Sequence, residues 1–114
     1  MMDLRHYQTA TVQTAIYPEN GTGSELALAY TALGASNEAG EVAGKVKKIL
    51  RDGWGDRPME KKIQILDEVG DVLWYLSQVC NELGMDLSEA ADRNLKKLNS
   101  RKERGVIQGN GDNR

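Results

Sequence analysis

The stretch Ile65-Leu-Asp-Glu-Val-Gly-Asp-Val-Leu-Trp-Tyr-Leu76 decides the fold. From it onward the apolar residues Leu66, Val69, Leu73, Leu76, Cys80 and Leu83 recur by alternating threes and fours. That period predicts one long helix with a core-facing stripe. Ile65, Val72 and Val79 widen the stripe along one edge. Beside that edge stand Glu68, Asp71 and Tyr75, spaced to share a helix face. Carboxylates bordering a core are costly unless something compensates them.

A second acidic pair supplies the compensation. Glu38 and Glu41, within Ser36-Asn-Glu-Ala-Gly-Glu-Val-Ala-Gly-Lys45, repeat the i,i+3 spacing on an earlier segment. Only the loop-like Arg51-Asp-Gly-Trp-Gly-Asp-Arg-Pro58 separates the two segments. A connection this short makes neighbouring helices antiparallel, so the pairs can face one another across a groove. Four oxygen side chains without a His or Cys partner describe a site for a hard cation. Mg²⁺ is the first candidate, since it takes carboxylates and waters and bridges to phosphate.

The 114 residues make one domain with a modest core, 39% hydrophobic, 28% charged and without Phe. An all-α antiparallel bundle of four to five helices, completed by oligomerisation, is the fold expected. The net charge of −2 speaks against a nucleic-acid partner. The single cysteine, Cys80, excludes an intrachain disulfide and reads as a small buried hydrophobe. The N-terminal residues lack the apolar core of a signal peptide, and no run reaches membrane-spanning length. A cytoplasmic protein without a membrane partner is expected.

The helices can be placed from their punctuation. Asp3 caps a first helix through about Ile16, and Tyr17–Gly23 is a loop broken by Pro18 and glycines. Ser24 caps a second helix to about Leu50, with a break allowed near Gly34. Pro58 suits the first turn of the third helix, which runs to Leu83 with Gly84 as its stop. Ser88 caps a fourth helix, which Gly105 ends. Residues 1–105 thus form the helical domain, and 106–114 are a glycine-containing tail expected to be mobile.

These residues resemble a known family. Glu38-x-x-Glu41 followed by Glu68-x-x-Asp71 is similar to the signature of the MazG-type all-α nucleoside triphosphate pyrophosphohydrolases. The flanking words Gly40-Glu-Val-Ala, Lys45-Val-Lys-Lys and Glu68-Val-Gly-Asp-Val-Leu-Trp-Tyr-Leu76 match as well. The resemblance covers roughly residues 25–105, and the Arg104-to-Arg114 ending resembles single-domain phage and bacterial members. It implies hydrolysis of a nucleoside triphosphate, with a deoxynucleoside as first expectation, to monophosphate and pyrophosphate. It also implies dependence on Mg²⁺, with Mn²⁺ as a substitute, and a homodimer or homotetramer. Metals held by Glu38, Glu41, Glu68 and Asp71 would clamp phosphate oxygens. Glu38 or Glu41 would instead take the proton of the attacking water, and the sequence leaves open which.

Cations must neutralise what the metals do not. Lys45 and Lys48 follow Glu41 by about one and two turns. Six Lys or Arg residues and one acid lie between Arg93 and Arg104. Either they meet phosphate or they sit at the negative end of a helix. The resemblance points to Asn94 and Lys97 as nucleotide ligands, with Arg101 and Arg104 as further candidates, and puts Tyr75 near the sugar. Trp54, between two glycines, either stacks on a base or covers the bundle end. Trp74 lies off the stripe and is expected in an oligomer contact. Tyr7 or Gln8 of the first helix would line a base pocket. The alternative from another class is a non-enzymatic helical dimer, a scaffold or regulator with merely solvated acids. A di-iron carboxylate bundle would need Glu-x-x-His pairs, whereas the only histidine, His6, lies outside both motifs.

Overall fold

A computed structural model describes residues 1–114 as four α-helices with no strand. They are α1 (Leu4–Thr11), α2 (Glu25–Asp52), α3 (Pro58–Leu83) and α4 (Leu87–Glu103). Asp3 caps α1 by accepting from the His6 N–H. That helix stops at Thr11 and tightens into a 3₁₀ turn, Val12–Thr14, short of Ile16. The hydroxyls of Thr11 and Thr14 donate to carbonyls three residues back, a local bond that competes with the α ladder. Ser24 caps α2 as expected, and Gly53, at φ 78°, ends it. No break occurs at Gly34; α2 is continuous over 28 residues.

Gly84 closes α3 in the left-handed region, φ 67°. The start of α4 differs from expectation. Asp86, two residues before Ser88, takes the cap position without a side-chain bond. The Leu87 N–H instead donates to Oε1 of Gln8 from α1. The Gln8 amide also donates to the Asn81 side chain and the Met85 carbonyl. Gln8 is therefore a buried pin between α1 and the α3–α4 turn, its amide engaged within the chain.

The long α2 and α3 form an antiparallel hairpin, and α1 bridges α3 and α4. The seam is built from small and polar residues. Ala27, Thr31 and Ser77 have no exposed surface, and Gln78 is also buried. Both hydroxyls are satisfied on their own helices: Thr31 donates to Ala27 and Leu28 carbonyls, and Ser77 to the Leu73 carbonyl. Small side chains let the two backbones approach closely.

The apolar stripe of α3 does not face this seam. Leu66 is 65% exposed, Val69 46%, Leu76 41% and Leu83 52%. At about 100° per residue, the stripe and the Glu68–Asp71–Tyr75–Gln78–Glu82 edge lie on nearly opposite sides of α3. The period marks a face that one chain leaves largely uncovered. Trp74 is half-buried and also makes contacts within the chain: its indole N–H donates to Thr14 Oγ1, and its ring meets Tyr17 and Tyr75 edge-on.

The tail also has a defined fold. Arg114 reaches back to donate to the carbonyls of Val106, Ile107 and Gly111. Arg101 of α4 and Arg104, which caps its C-terminus, donate to the carbonyls of Asp112 and Arg114. Three guanidiniums thereby satisfy backbone that has no secondary structure of its own.

Candidate active site

The antiparallel register of α2 and α3 sets Glu38 opposite Glu68 and Asp71. One carboxylate oxygen from each of these three lies within 4.8 Å of the others. Glu38 and Glu68 are half-buried, and Asp71 is exposed. Two octahedral ligands of Mg²⁺ stand at most about 4.2 Å apart, so a small side-chain movement closes the trio on one ion. An all-oxygen donor set suits Mg²⁺ or Mn²⁺ better than a softer metal.

Glu41 is exposed and lies outside this trio, although its charge still reaches Glu38. Burial pushes the Glu38 carboxyl up, and the charges of Asp71, Glu68 and Glu41 push it further. Lys45 is the first counter-charge, its Nζ 3.3 Å from Glu68 Oε1. Lys48 lines a cleft beside it with Lys45, Ile49, Asp52 and Lys61.

On the other side of the acids stands Tyr75, half-buried over Gly34. A Cβ at residue 34 would overlap the phenol ring, so only glycine permits this approach. Burial raises the Tyr75 hydroxyl above its ordinary value, helped by neighbouring Tyr30 and by the charges of Glu38 and Asp71. Tyr17 stacks on Tyr30 with centroids 5.5 Å apart and meets Trp74 at 6.3 Å. Trp74 in turn meets Tyr75 at 5.0 Å. Tyr7 of α1 also lies near the acids; burial raises its hydroxyl, and Asp71 adds to the shift. Five of the six aromatic residues therefore gather around one end of the acidic trio.

The remaining candidates lie elsewhere in the chain. Trp54 sits exposed in the α2–α3 loop, with Lys62 Nζ 5.8 Å from its ring centroid. Asn94 and Lys97 line a groove of about 690 Å³ with Cys80, Leu83, Met85 and Arg93, and none of the four acids borders it. Arg101 is 5% exposed and holds the tail, with its Nε unpartnered. Arg104 is tied to Ser100 Oγ and the Arg114 carbonyl.

Several further neighbours of the site, Tyr30, Lys61, Gln78 and Glu82, lie in register with its acids. Tyr30, Gly34 and Glu38 follow at i,i+4 on α2. Lys61 precedes Glu68 by seven residues, and Asp71, Tyr75, Gln78 and Glu82 step by four, three and four on α3. These series mark the face that packs, but only against a neighbour whose identity the periodicity does not name. Buried Glu82 accepts from the backbone N–H of Gly21 at 2.7 Å and from the Tyr17 hydroxyl at 3.2 Å, clamping the loop that carries Tyr17.

An all-helical hairpin with carboxylates facing across it defines a class of acid-lined helical proteins. Residues 28–106 match the MazG nucleotide pyrophosphohydrolase domain, and the chain belongs to that family. It is 51% identical over 109 residues to the Gene 37 protein of Mycobacterium phage L5, covering 95% of this chain and 96% of that one. No solved structure matches it.

Proposed function

We propose that the chain hydrolyses a nucleoside triphosphate, by expectation a deoxynucleoside triphosphate, to the monophosphate and pyrophosphate in a Mg²⁺-dependent reaction. The observation that carries this reading is the convergence of Glu38, Glu68 and Asp71 on one face of the α2–α3 hairpin in a MazG-family chain. These three would hold the metal, which when bound neutralises phosphate charge and makes water more acidic.

The chain's own residues do the rest. Glu41 lies at the rim of the trio and, unlike its neighbours, is free to accept the proton of the water that adds to phosphorus. Lys45 bridges the acids and the phosphates, its ammonium already placed beside Glu68. Tyr75, held over Gly34, packs against the sugar. Asn94, Lys97, Arg101, Arg104 and Trp54 remain nucleotide ligands in this proposal only where a second chain brings them to the acids. The acting form is a homodimer or homotetramer, and no helix is long and apolar enough to cross a membrane.

The test is a panel of natural and modified triphosphates with Mg²⁺, with products resolved by ³¹P NMR. Monophosphate plus pyrophosphate is expected. Diphosphate plus orthophosphate as first products would overturn the reading.

A further inference from the structure

The groove between α2 and α3 is ordered by chemistry along its length. On α3 the sequence runs Lys61, then Glu68 and Asp71, then Tyr75. On antiparallel α2 it runs Tyr30, Glu38 and Glu41, then Lys45 and Lys48. Aromatic rings therefore stand at one end, carboxylates in the middle and lysines at the other. At about 1.5 Å of rise per residue, Tyr75 lies ~6 Å beyond Asp71, and Lys61 ~10 Å before Glu68. A molecule with an apolar head and an anionic tail has only one favourable direction along such a groove.

The lysine end is a built cleft of about 230 Å³ with Ile49 and Ile65 in its walls. That is smaller than the ~300 Å³ at which pockets begin to take drug-sized ligands, so it suits a small anion better than a nucleoside. Its charge is not balanced from within. Lys45 is shared with Glu68, but neither Lys48 nor Lys61 forms a salt bridge. The one carboxylate in the lining, Asp52, is already engaged by Arg51 through two bonds of 2.8 and 2.7 Å. Lys61 Nζ donates to the Gly53 carbonyl at 3.1 Å, which anchors its side chain at the end of α2. The bland alternative is a set of solvated lysines near a helix C-terminus. Against it stands the convergence of three lysines, from two helices, on one cleft.

We propose that the cleft lined by Lys45, Lys48 and Lys61 is a pyrophosphate subsite. It takes the β and γ phosphates of a triphosphate whose nucleoside lies on the Tyr75 side of the acids. This rests on the triphosphate reading of the site and deepens it. The acids then lie over the anhydride between the phosphate nearest the sugar and the two held by lysine, and the cut releases pyrophosphate into the cleft. Ammonium groups are point charges without a fixed fork, so the subsite selects for charge density and tolerates different nucleosides.

The test is calorimetric titration of inorganic pyrophosphate into the full chain in EDTA at fixed ionic strength, where metal at the acids cannot contribute. One pyrophosphate per chain is expected. The Lys48→Ala/Lys61→Ala variant should bind about tenfold more weakly or worse, and Lys61→Arg should restore most of the affinity. Lys48 makes no hydrogen bond or salt bridge to another side chain, so Lys48→Ala alone tests the site without unfolding the chain. Lys102→Ala, an exposed lysine of α4 with no role in the site, should bind as wild type does. No binding by wild type, unchanged binding by the double variant, or an equal loss in Lys102→Ala would overturn the subsite. Wild type that binds pyrophosphate through these lysines but cleaves no triphosphate would reject the hydrolase reading alone. Wild type that releases pyrophosphate, with product inhibition indifferent to Lys48 and Lys61, would reject the subsite alone.

Discussion

Glu38 is the residue on which the charges of the site converge. Its folded-state pKa is raised by burial and by the carboxylates of Asp71, Glu68 and Glu41. For an acid, a raised folded value means the native state holds its proton longer than the unfolded chain does. Stability then falls as pH rises from the unfolded value of ~4.3 up to the raised folded value, and the full penalty persists above it. Millimolar Mg²⁺ at neutral pH should raise the Tm more than NaCl of matched ionic strength, because a ligand of the native state stabilises it by mass action. Glu38→Gln should flatten the pH dependence and shrink the Mg²⁺ response. Parallel melting curves for variant and wild type, with and without Mg²⁺, would show that the acids do not act together. Glu68→Gln separates chemistry from crowding. It should lower kcat by about 100-fold or more at saturating Mg²⁺, because a charge contact at the reacting centre is lost. Near-normal turnover would place the metal elsewhere.

At the scale of elements, the Glu82 side chain clamps the backbone of the loop between α1 and α2. Glu82 of α3 accepts from Gly21, from Gly23 at 3.5 Å and from Tyr17, and it is 6% exposed. Glu82→Ala leaves these donors without a buried partner and should cost about 2–4 kcal/mol by chemical denaturation. A cost below ~0.5 kcal/mol would mean the clamp is absent in solution. The Tyr17 hydroxyl is pushed up to about 12 by burial, with the Glu82 charge and hydrogen bond adding to the shift. The native state therefore keeps this proton while the unfolded chain begins to lose it near pH ~10. Stability should fall as pH rises from ~10 towards 12, and Tyr17→Phe should remove that part of the alkaline slope. An unchanged slope in Tyr17→Phe would assign the loss to other tyrosines.

The whole molecule is extended for its length. Its radius of gyration is 17.0 Å, where ~13 Å is usual for a chain of this length. Its accessible surface is 8378 Å², against ~6,200 Å² for a compact monomer of 12.6 kDa. The excess of ~2,200 Å² per chain is on the scale of an obligate interface, and the exposed stripe of Leu66, Val69, Leu76 and Leu83 is the apolar part of it. Light scattering at micromolar concentration should give a dimer or tetramer. Leu66→Glu/Leu76→Glu should dissociate or unfold it, and a wild-type monomer at that concentration would contradict the assembly.

The helical class, the bounds of α2 and α3 and the acidic pairs were legible in the sequence, because each is a local property. Pro58, Gly53 and Gly84 act through their own backbone conformations, and i,i+3 spacing places Glu68 with Asp71 on one face whatever lies beyond it. Which face of α3 turns inward was not local. Two faces compete for a partner. Within one chain, packing of the small residues Ala27, Thr31 and Ser77 won over the larger apolar stripe, at the end of the hairpin where α2 begins and α3 finishes. The contacts of Trp74 were not local either: they required the loop clamped by Glu82 to bring Tyr17 to it. Arg101 and Arg104 could be counted as cations in the sequence, but only the folded tail decided that carbonyls would occupy them. Spacing along a chain determines which groups share a surface. What that surface meets depends on contacts between residues distant in sequence, and those are set by the packing of the whole.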